Sequence, residues 1–588
     1  MQLEFDTPAA VVDEHELGQA PTPEELLARM GLTEFRTAQR EVVVAALDGR
    51  DTLVVMPTGA GKSLCYQLPA LAGRGLVVVV SPLIALMADQ LKRMHDGTLC
   101  AVMLASGMPE GHNAEALREI RSGRAQLVLA APERFSSIAF REAIASRRIA
   151  LFVVDEAHCV AEWGHDFRPD YLRLHRAIAE LGHPPVMAAT ATATPRVAQE
   201  IAERLALRDP VCIRSAFDRP NIAFDVVGLA GKGAVARKRS LLAHRLSAPE
   251  ARPAIVYCGT RRDCGEVTAF LCERGLRAVT YHAGMDPEAR RASQQAFMEG
   301  RAEVVVATSA FGMGVDKADV RTVAHWALPT SLEAYYQEAG RGGRDGQPAE
   351  AMLLAARMDL GRLIHFNKTR ERSLADVQRY VDGLARSATE GVVECEPPPE
   401  ADRLLLSIAE RAGALELEPL AGGRLSLTLT GELDASAAQR AMSVARDRGW
   451  EAYRAIERFI ESGTCRRAQL LAHFGDLEAG KPSGRCCDVC DPDPSLALAA
   501  VELAKPQPRR RQGSAQAPPA SGALAELRAW RLERAGAKPA YTVASNAALE
   551  ELLRLRPASK RALLEVRGIG PAFCARHGDS LLALLAGV

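Results

Sequence analysis

The chain has 588 residues with 73 Lys+Arg against 73 Asp+Glu, and it is 48% hydrophobic and 25% charged. That composition excludes a fibrous chain and a wholly disordered one, and the length suggests roughly three to five domains. No apolar run reaches the roughly 18–20 residues that a membrane span needs.

The opening stretch, MQLEFDTPAAVVDEHE, is acidic and lacks the basic-then-apolar order of a signal peptide. Residues 1–24 read as a tail, and the expected compartment is the cytoplasm. Beyond them, short apolar runs alternate with helical stretches. Thr52–Met56, Leu76–Ser81, Gln126–Ala130, Ala150–Val154 and Pro185–Ala189 read as strands buried on both faces of a parallel sheet. A second series follows at Ala254–Cys258, Ala278–Tyr281, Glu303–Ala307 and Thr322–His325. Two α/β units in tandem, 25–208 and 209–360, are the simplest reading.

The first unit carries phosphate chemistry. Leu53-Val-Val-Met-Pro-Thr-Gly-Ala-Gly-Lys-Ser63 is a strand running into a Gly-rich loop. Backbone N–H groups of such a loop cradle phosphates, Lys62 can reach the β- and γ-phosphates, and Ser63 can hold Mg²⁺. Met56 stands where the strict pattern has Gly, so strand-before and helix-after context matters here. A second apolar strand delivers Asp155 and Glu156, 92 residues beyond Ser63. Asp155 can bind Mg²⁺, and Glu156 can orient or deprotonate the attacking water. In the second unit, Arg341 and Arg344 lie three apart in a Gly-rich segment and can converge on a γ-phosphate.

After about Leu360 the pattern changes. Ser373–Ser387 and Ala401–Ala412 read as helices, and Ala414–Leu420 and Arg424–Thr430 as a hairpin around Ala421-Gly422-Gly423. The segment 361–450 is therefore a small α+β insertion, either winged-helix-like or a packing unit. Four of the thirteen cysteines, Cys465, Cys486, Cys487 and Cys490, fall within 26 residues. Cys487-x-x-Cys490 is a chelating spacing, and four thiolates make a closed, structural zinc site. That module spans 451–492. Residues 493–521 are a Pro- and Arg-rich linker. From 522 the chain is helix-patterned and basic. Residues 501–588 hold 14 bases against 7 acids. Only 10 of the 73 bases are Lys, so Arg excess is chain-wide and says little by itself about nucleic acid.

These motifs resemble, in order, those of superfamily 2 helicases and more closely the RecQ family. Phe35-Arg36-Thr-Ala-Gln39 looks like the adenine-reading segment, with Arg36 and Gln39 in it. Thr58-Gly59-Ala60-Gly61-Lys62-Ser63 looks like motif I, and Ser81 to Gln90 like motif Ia. Asp155-Glu-Ala-His158 resembles motif II, Ala189-Thr-Ala-Thr192 motif III, Ala307 to Asp316 motif V, and Gln337 to Gly346 motif VI. Cys159 to Tyr171 resembles the RecQ aromatic-rich loop. There Trp163 and Phe167 offer faces for unpaired bases, Arg168 can bind a phosphate, and His165 lies between. The cysteine cluster resembles the RecQ zinc module, although Gly484 stands where one of the family's cysteines falls and Cys486 is the nearest substitute. Residues 522–588 resemble the helicase-and-RNase-D C-terminal (HRDC) domain, as a strand contact or a protein-docking module.

The resemblance implies two RecA-like parallel-sheet lobes, the α+β insertion, a helical zinc module and a C-terminal helical bundle. It implies an ATP-dependent 3′ to 5′ DNA helicase of repair, recombination and replication, using ATP, Mg²⁺ and Zn²⁺ on single-stranded and forked DNA. Single-stranded-DNA-binding protein or other repair proteins are the implied partners. The compartment is a bacterial cytoplasm with nucleoid association, and no membrane contact is expected. The rival readings are a translocase without strong unwinding, a DEAH-type RNA helicase, and a non-enzymatic DNA tether.

Overall fold

The computed structural model describes residues 21–496 and 521–587, apart from 58, 83, 95–97, 162–170, 172–173, 230, 232, 313–316, 397, 421–423, 477–479, 536–542, 545 and 567–568. It divides into two compact units, Met1–Lys505 and Pro506–Val588.

The first lobe is one seven-stranded sheet. Its strands are β1 (Thr52–Val55), β2 (Leu76–Val80), β3 (Ala101–Leu104), β4 (Leu127–Ala130), β5 (Ile149–Val154), β6 (Val186–Thr190) and β7 (Val211–Arg214). They pair in parallel in the order β3-β4-β2-β5-β6-β1-β7. Alternate side chains of one strand enter opposite faces. Val78 and Val80 join one core with Leu53, Val55 and Val154, while Val77 and Val79 join another with Val54 and Val153. Two apolar layers explain why these strands read as unbroken apolar runs.

The second lobe has β8 (Ile222–Leu229), β9 (Ala254–Tyr257), β10 (Ala278–Tyr281), β11 (Val304–Ala307), β12 (Thr322–His325) and β13 (Ala349–Ala356). The order is β10-β11-β9-β12-β13-β8, again parallel. The nine expected strands are present to within about one residue at each end. Four others, β3, β7, β8 and β13, escaped the sequence reading. β3 and β7 are short strands at the two edges of their sheet, and β13 (AEAMLLAA) is built of good helix formers. Eight-residue pairing with β8 holds β13 extended against that preference.

Between the lobes and the cysteines lies a third, antiparallel sheet of β14 (Val392–Cys395), β15 (Leu415–Pro419) and β16 (Leu425–Leu429), ordered β14-β16-β15. β15 and β16 are the expected hairpin; its tip, 421–423, lies outside the described residues. Helices Leu374–Ser387 and Glu400–Arg411 cover the sheet, the first capped by Ser373, whose side chain accepts from Asp376 N. Helix Ala435–Glu461 is continuous for 27 residues and crosses the boundary placed at 450/451. Its first half puts Ala438 and Ala441 into the insertion's core; its second half puts Ile456 and Phe459 into the core of lobe 2. Helix Arg357–Arg370 likewise crosses the boundary placed at 360/361.

The second unit is a helical bundle of Ser521–Ala535, Asn546–Leu555, Lys560–Leu563 and Pro571–Gly587. Leu527, Leu549, Leu552, Leu563 and Leu581 fill its centre. Trp530 is buried there, edge-on to Phe573 and His577. Among the described residues, no helix is long and apolar enough to cross a membrane.

Candidate nucleotide site and cysteine centre

The loop after β1 turns on two glycines in left-handed backbone, Gly59 at φ +87° and Gly61 at φ +81°. A side chain at Gly61 would also collide with the Gln39 amide. Ser63 then opens helix Leu64–Leu71. The side chain of Met56 is buried in the core, and its carbonyl accepts from Lys62 Nζ at 3.1 Å. The missing Gly is thus immaterial locally, because this contact uses backbone.

Gln39 and Arg36 meet the same loop. Gln39 Nε2 donates to the carbonyls of Ala60 (3.0 Å) and Gly61 (3.1 Å), and its Oε1 accepts from Arg36 N at 2.8 Å. The Arg36 guanidinium donates to Gly59 O at 2.7 Å. Two side chains that the sequence placed in a base-reading segment therefore brace the phosphate loop. Thr58 lies outside the described residues.

Asp155 and Glu156 end β5, and both are buried. Asp155 Oδ1 accepts from Glu156 N at 3.0 Å, and Ser81 Oγ donates to its Oδ2 at 3.4 Å. Burial pushes the Asp155 carboxyl up to about 6, Glu156 adds to the rise, and Lys62 opposes it. Lys62 offsets this buried charge only in part, and a carboxylate so placed suits a hard divalent ion. Glu156 itself sits at φ +48°, an uncommon conformation for a residue with a side chain. His158 Nδ1 lies 3.0 Å from Thr190 Oγ1 and 3.4 Å from Glu156 Oε2. This tie between the acid pair and the end of β6 was not read from sequence. The signal was there, in His158 and Thr190 of two separate motifs.

The second lobe contributes Arg341, which is buried, and Arg344. Their segment is anchored by Arg219, which donates to the carbonyls of Gly340 and Gly342 at 2.7 Å each. Both arginines lie close enough to buried Tyr257 to oppose the upward push of burial on its hydroxyl. Arg219 was missed because nothing in its local sequence announces a partner 121 residues away. Gln337 lies with His158 and Thr192 in the lining of a cavity between the lobes. Trp163, His165, Phe167 and Arg168 lie outside the described residues. Tyr171, in the same stretch of sequence, is described, and its hydroxyl donates to Asp155 O at 3.0 Å.

The four cysteines are brought together as expected. All four sulfur atoms lie within 4.8 Å of one another, with Cys465 Sγ 3.7 Å from Cys486 Sγ and 4.0 Å from Cys487 Sγ. A tetrahedron of zinc–sulfur bonds of about 2.3 Å has edges of about 3.8 Å. The donor set and its spacing therefore fit zinc, Cys486 included. The loop docks on lobe 2: Phe224 N donates to Cys486 O at 3.1 Å. Arg467 reaches Asp218 at 2.5 Å and the carbonyl of Ile222 at 2.7 Å.

Four family models match the chain. They are the DEAD/DEAH box helicase over residues 36–201, the helicase conserved C-terminal domain over 237–346, RecQ zinc-binding over 433–491 and the HRDC domain over 521–585. A Bacillus subtilis protein named probable ATP-dependent DNA helicase RecS is 34% identical over 472 residues, 79% of this chain and 91% of the relative. ATP-dependent DNA helicase RecQ of Pasteurella multocida is 39% identical over 345 residues, 58% of this chain and 54% of the relative. Its Haemophilus influenzae namesake is 41% identical over 323 residues, 55% of this chain and 51% of the relative. The chain thus matches about half the length of these last two.

Proposed function

This chain belongs to the RecQ family of helicases, and on that premise we propose that it is an ATP-dependent DNA helicase moving 3′ to 5′ along one strand. The observation that carries the reading is the buried Asp155–Glu156 pair beside Lys62, on one lobe, with an anchored Arg341–Arg344 segment on the other. Backbone N–H groups of residues 59–63 take the phosphates. Lys62 leaves the Met56 carbonyl for the β- and γ-phosphates. Ser63 and Asp155 would hold Mg²⁺, which neutralises charge on the phosphate oxygens when bound. Glu156 orients and deprotonates the water, and His158 sets its position through the contact with Thr190. Arg341 and Arg344 stabilise charge on the transferring group, an effect worth about 10³–10⁵ in rate. Gln39 and Arg36 move from the loop carbonyls to adenine, and Gln337 couples the second lobe to the bound nucleotide.

Cys465, Cys486, Cys487 and Cys490 hold the structural zinc. Trp163, His165, Phe167 and Arg168 hold unpaired bases and phosphates. The unit 361–450 acts as a winged-helix-like duplex contact, and 522–588 as an auxiliary strand contact. Substrates are single-stranded and forked DNA in a bacterial cytoplasm at the nucleoid, with single-stranded-DNA-binding protein as a partner.

The test is ATP-dependent unwinding of a labelled duplex with a 3′ tail, beside a 5′-tailed control and Lys62→Ala. Unwinding of the 3′-tailed duplex alone, lost in the variant, is the expected result. DNA-stimulated ATPase without unwinding would make the chain a translocase, and stimulation by RNA in place of DNA would overturn the substrate.

A further inference from the structure

Three neighbouring strands of lobe 2 end together at one edge of its sheet. Tyr257 is the last residue of β9, and its partners in register, Ala307 and His325, are the last residues of β11 and β12. The carboxyl edge of a parallel sheet is where such folds place their ligands. Arg341 reaches this edge from the turn after helix Leu332–Ala339, and the chain beyond β11 passes it at Phe311 and Gly312.

We propose that Tyr257 is a positioning residue for ATP hydrolysis, whose hydroxyl holds the Arg341 guanidinium in place for the transferring phosphate. This rests on the helicase reading and deepens it, by adding a residue that the sequence showed only as part of a strand.

The donor and acceptor inventory carries the argument. Tyr257 and Arg341 are both buried. The Tyr257 hydroxyl donates its one proton to Phe311 O at 2.7 Å. Its oxygen keeps lone pairs, and the Arg341 guanidinium hydrogen-bonds to that oxygen. A guanidinium has only donors and a carbonyl only acceptors, so a side chain bridging the two must both donate and accept. A hydroxyl does so. A phenylalanine would fill the same volume and bridge nothing. The guanidinium is also closely seated. A side chain at Gly312 would bring its first carbon to 3.5 Å from Arg341 Nη2 and to 2.8 Å from Ser309 O.

The tyrosine ring is held as well as its hydroxyl. It stacks on His325, with ring centres 5.4 Å apart and planes at 25°. His325 Nε2 lies 2.9 Å from Glu338 Oε2, and Glu338 O accepts from Arg341 N at 3.2 Å. Arg219 fixes the backbone on both sides of Arg341, through Gly340 O and Gly342 O, and Tyr257 fixes the far end of the side chain. A long arginine side chain has many rotamers to lose, so seating it beforehand favours the transition state.

The experiment measures ATP hydrolysis by the full chain with saturating oligo-dT, for wild type, Tyr257→Phe, Arg341→Ala and the double variant. Tyr257→Phe should lower kcat about 10- to 100-fold and leave KM for ATP within about two-fold, because a misplaced arginine weakens transition-state stabilisation alone. In the Arg341→Ala background the same substitution should cost less than about three-fold, since its target is gone. A second measurement covers any loss of stability. Tyr257→Phe should weaken binding of ADP with aluminium fluoride, which stands in for the transferring phosphoryl group, and spare binding of ADP alone. Equal losses in both backgrounds, equal weakening of both ligands, or an unchanged kcat in Tyr257→Phe would overturn the proposal and leave the helicase reading standing. A fully active Arg341→Ala would overturn it together with the role given to Arg341. Wild-type protein that hydrolyses no ATP would overturn the helicase reading as well.

Discussion

Where the zinc loop meets lobe 2, Arg467 is 2% exposed and its partner Asp218 is 10% exposed; where helix Ala435–Glu461 meets lobe 1, Arg196 and Glu451 are each 56% exposed. The first contact is buried and many-stranded. Arg467 serves Asp218 and the carbonyls of Arg219 and Ile222, while Arg485 pairs with fully buried Asp225. The second belongs to a wider set of ion pairs of lobe 1, some exposed and some half-buried, that reach helix Ala435–Glu461, β15 and helix Glu400–Arg411. Arg176 stands 3.8 Å from Glu416 and 3.9 Å from Glu418, and Glu200 gathers Arg204, Arg411 and Arg448. A buried charge cannot lose its partner cheaply, whereas a solvated pair gives up about 0–1 kcal/mol. The difference separates a sealed contact from a solvated one, and the sealing is not confined to lobe 2, since Leu471 and Phe474 also enter the lobe 1 core and Arg214 of β7 donates to Phe474 O at 2.9 Å.

The largest effect that would break this comparison is removal of the metal. Structural zinc in peptides is worth roughly 10–16 kcal/mol of apparent binding free energy. Purified protein should carry stoichiometric zinc by elemental analysis. Chelation, or Cys487→Ser, should then split a low-temperature transition away from the main thermal unfolding. A zinc-free protein with an unchanged melting curve would show that the sealed contact holds without the metal.

Arg467→Ala should come next. It strands buried Asp218 and several carbonyls, at a cost of about 3–5 kcal/mol. Equilibrium denaturation checks this, and a loss under about 1 kcal/mol would place this interface with the solvated one.

The smallest effect sharpens the lobe 1 side. Glu410, on helix Glu400–Arg411, is pushed up to about 7 by burial and by Glu416, against Arg204 and Arg176. The folded protein therefore binds this proton more tightly than the unfolded chain. Stability must fall as pH rises from about 4.5 to about 7, and level off above. Glu410→Gln should remove that slope and gain about 2 kcal/mol at pH 8, from about 1.4 kcal/mol per pKa unit with a discount for partial exposure. Melting temperatures of both proteins at pH 5 and pH 8 decide it. Parallel slopes would mean that Glu410 ionises freely.

Much of the nucleotide site was legible in the sequence because its chemistry is local. A phosphate loop needs a strand, two glycines and Gly-Lys-Ser in one continuous run, and a catalytic acid pair needs the end of another strand. The cysteines were legible for a similar reason, since a tetrahedral thiolate cluster restricts ligand type and spacing. Arg219 was not, and the contacts of Ser81 and Thr190 were not although both stand in motifs read from sequence, because each acts on a residue that only the closed sheet brings near. β13 was not, because Ala, Leu, Met and Glu favour helix until two neighbouring strands supply a ladder.

By itself, then, the sequence determined the two parallel-sheet lobes, the residues that handle phosphate and the thiol cluster, since periodicity and motif spacing are properties of a single chain segment. The tertiary structure alone decided that Gln39 and Arg36 brace the loop, that helix Ala435–Glu461 joins the insertion to lobe 2, and that Arg467 is sealed while Arg196 is not. Those are matters of burial between distant segments, and burial is what turns an ordinary arginine into a rivet or leaves it a latch.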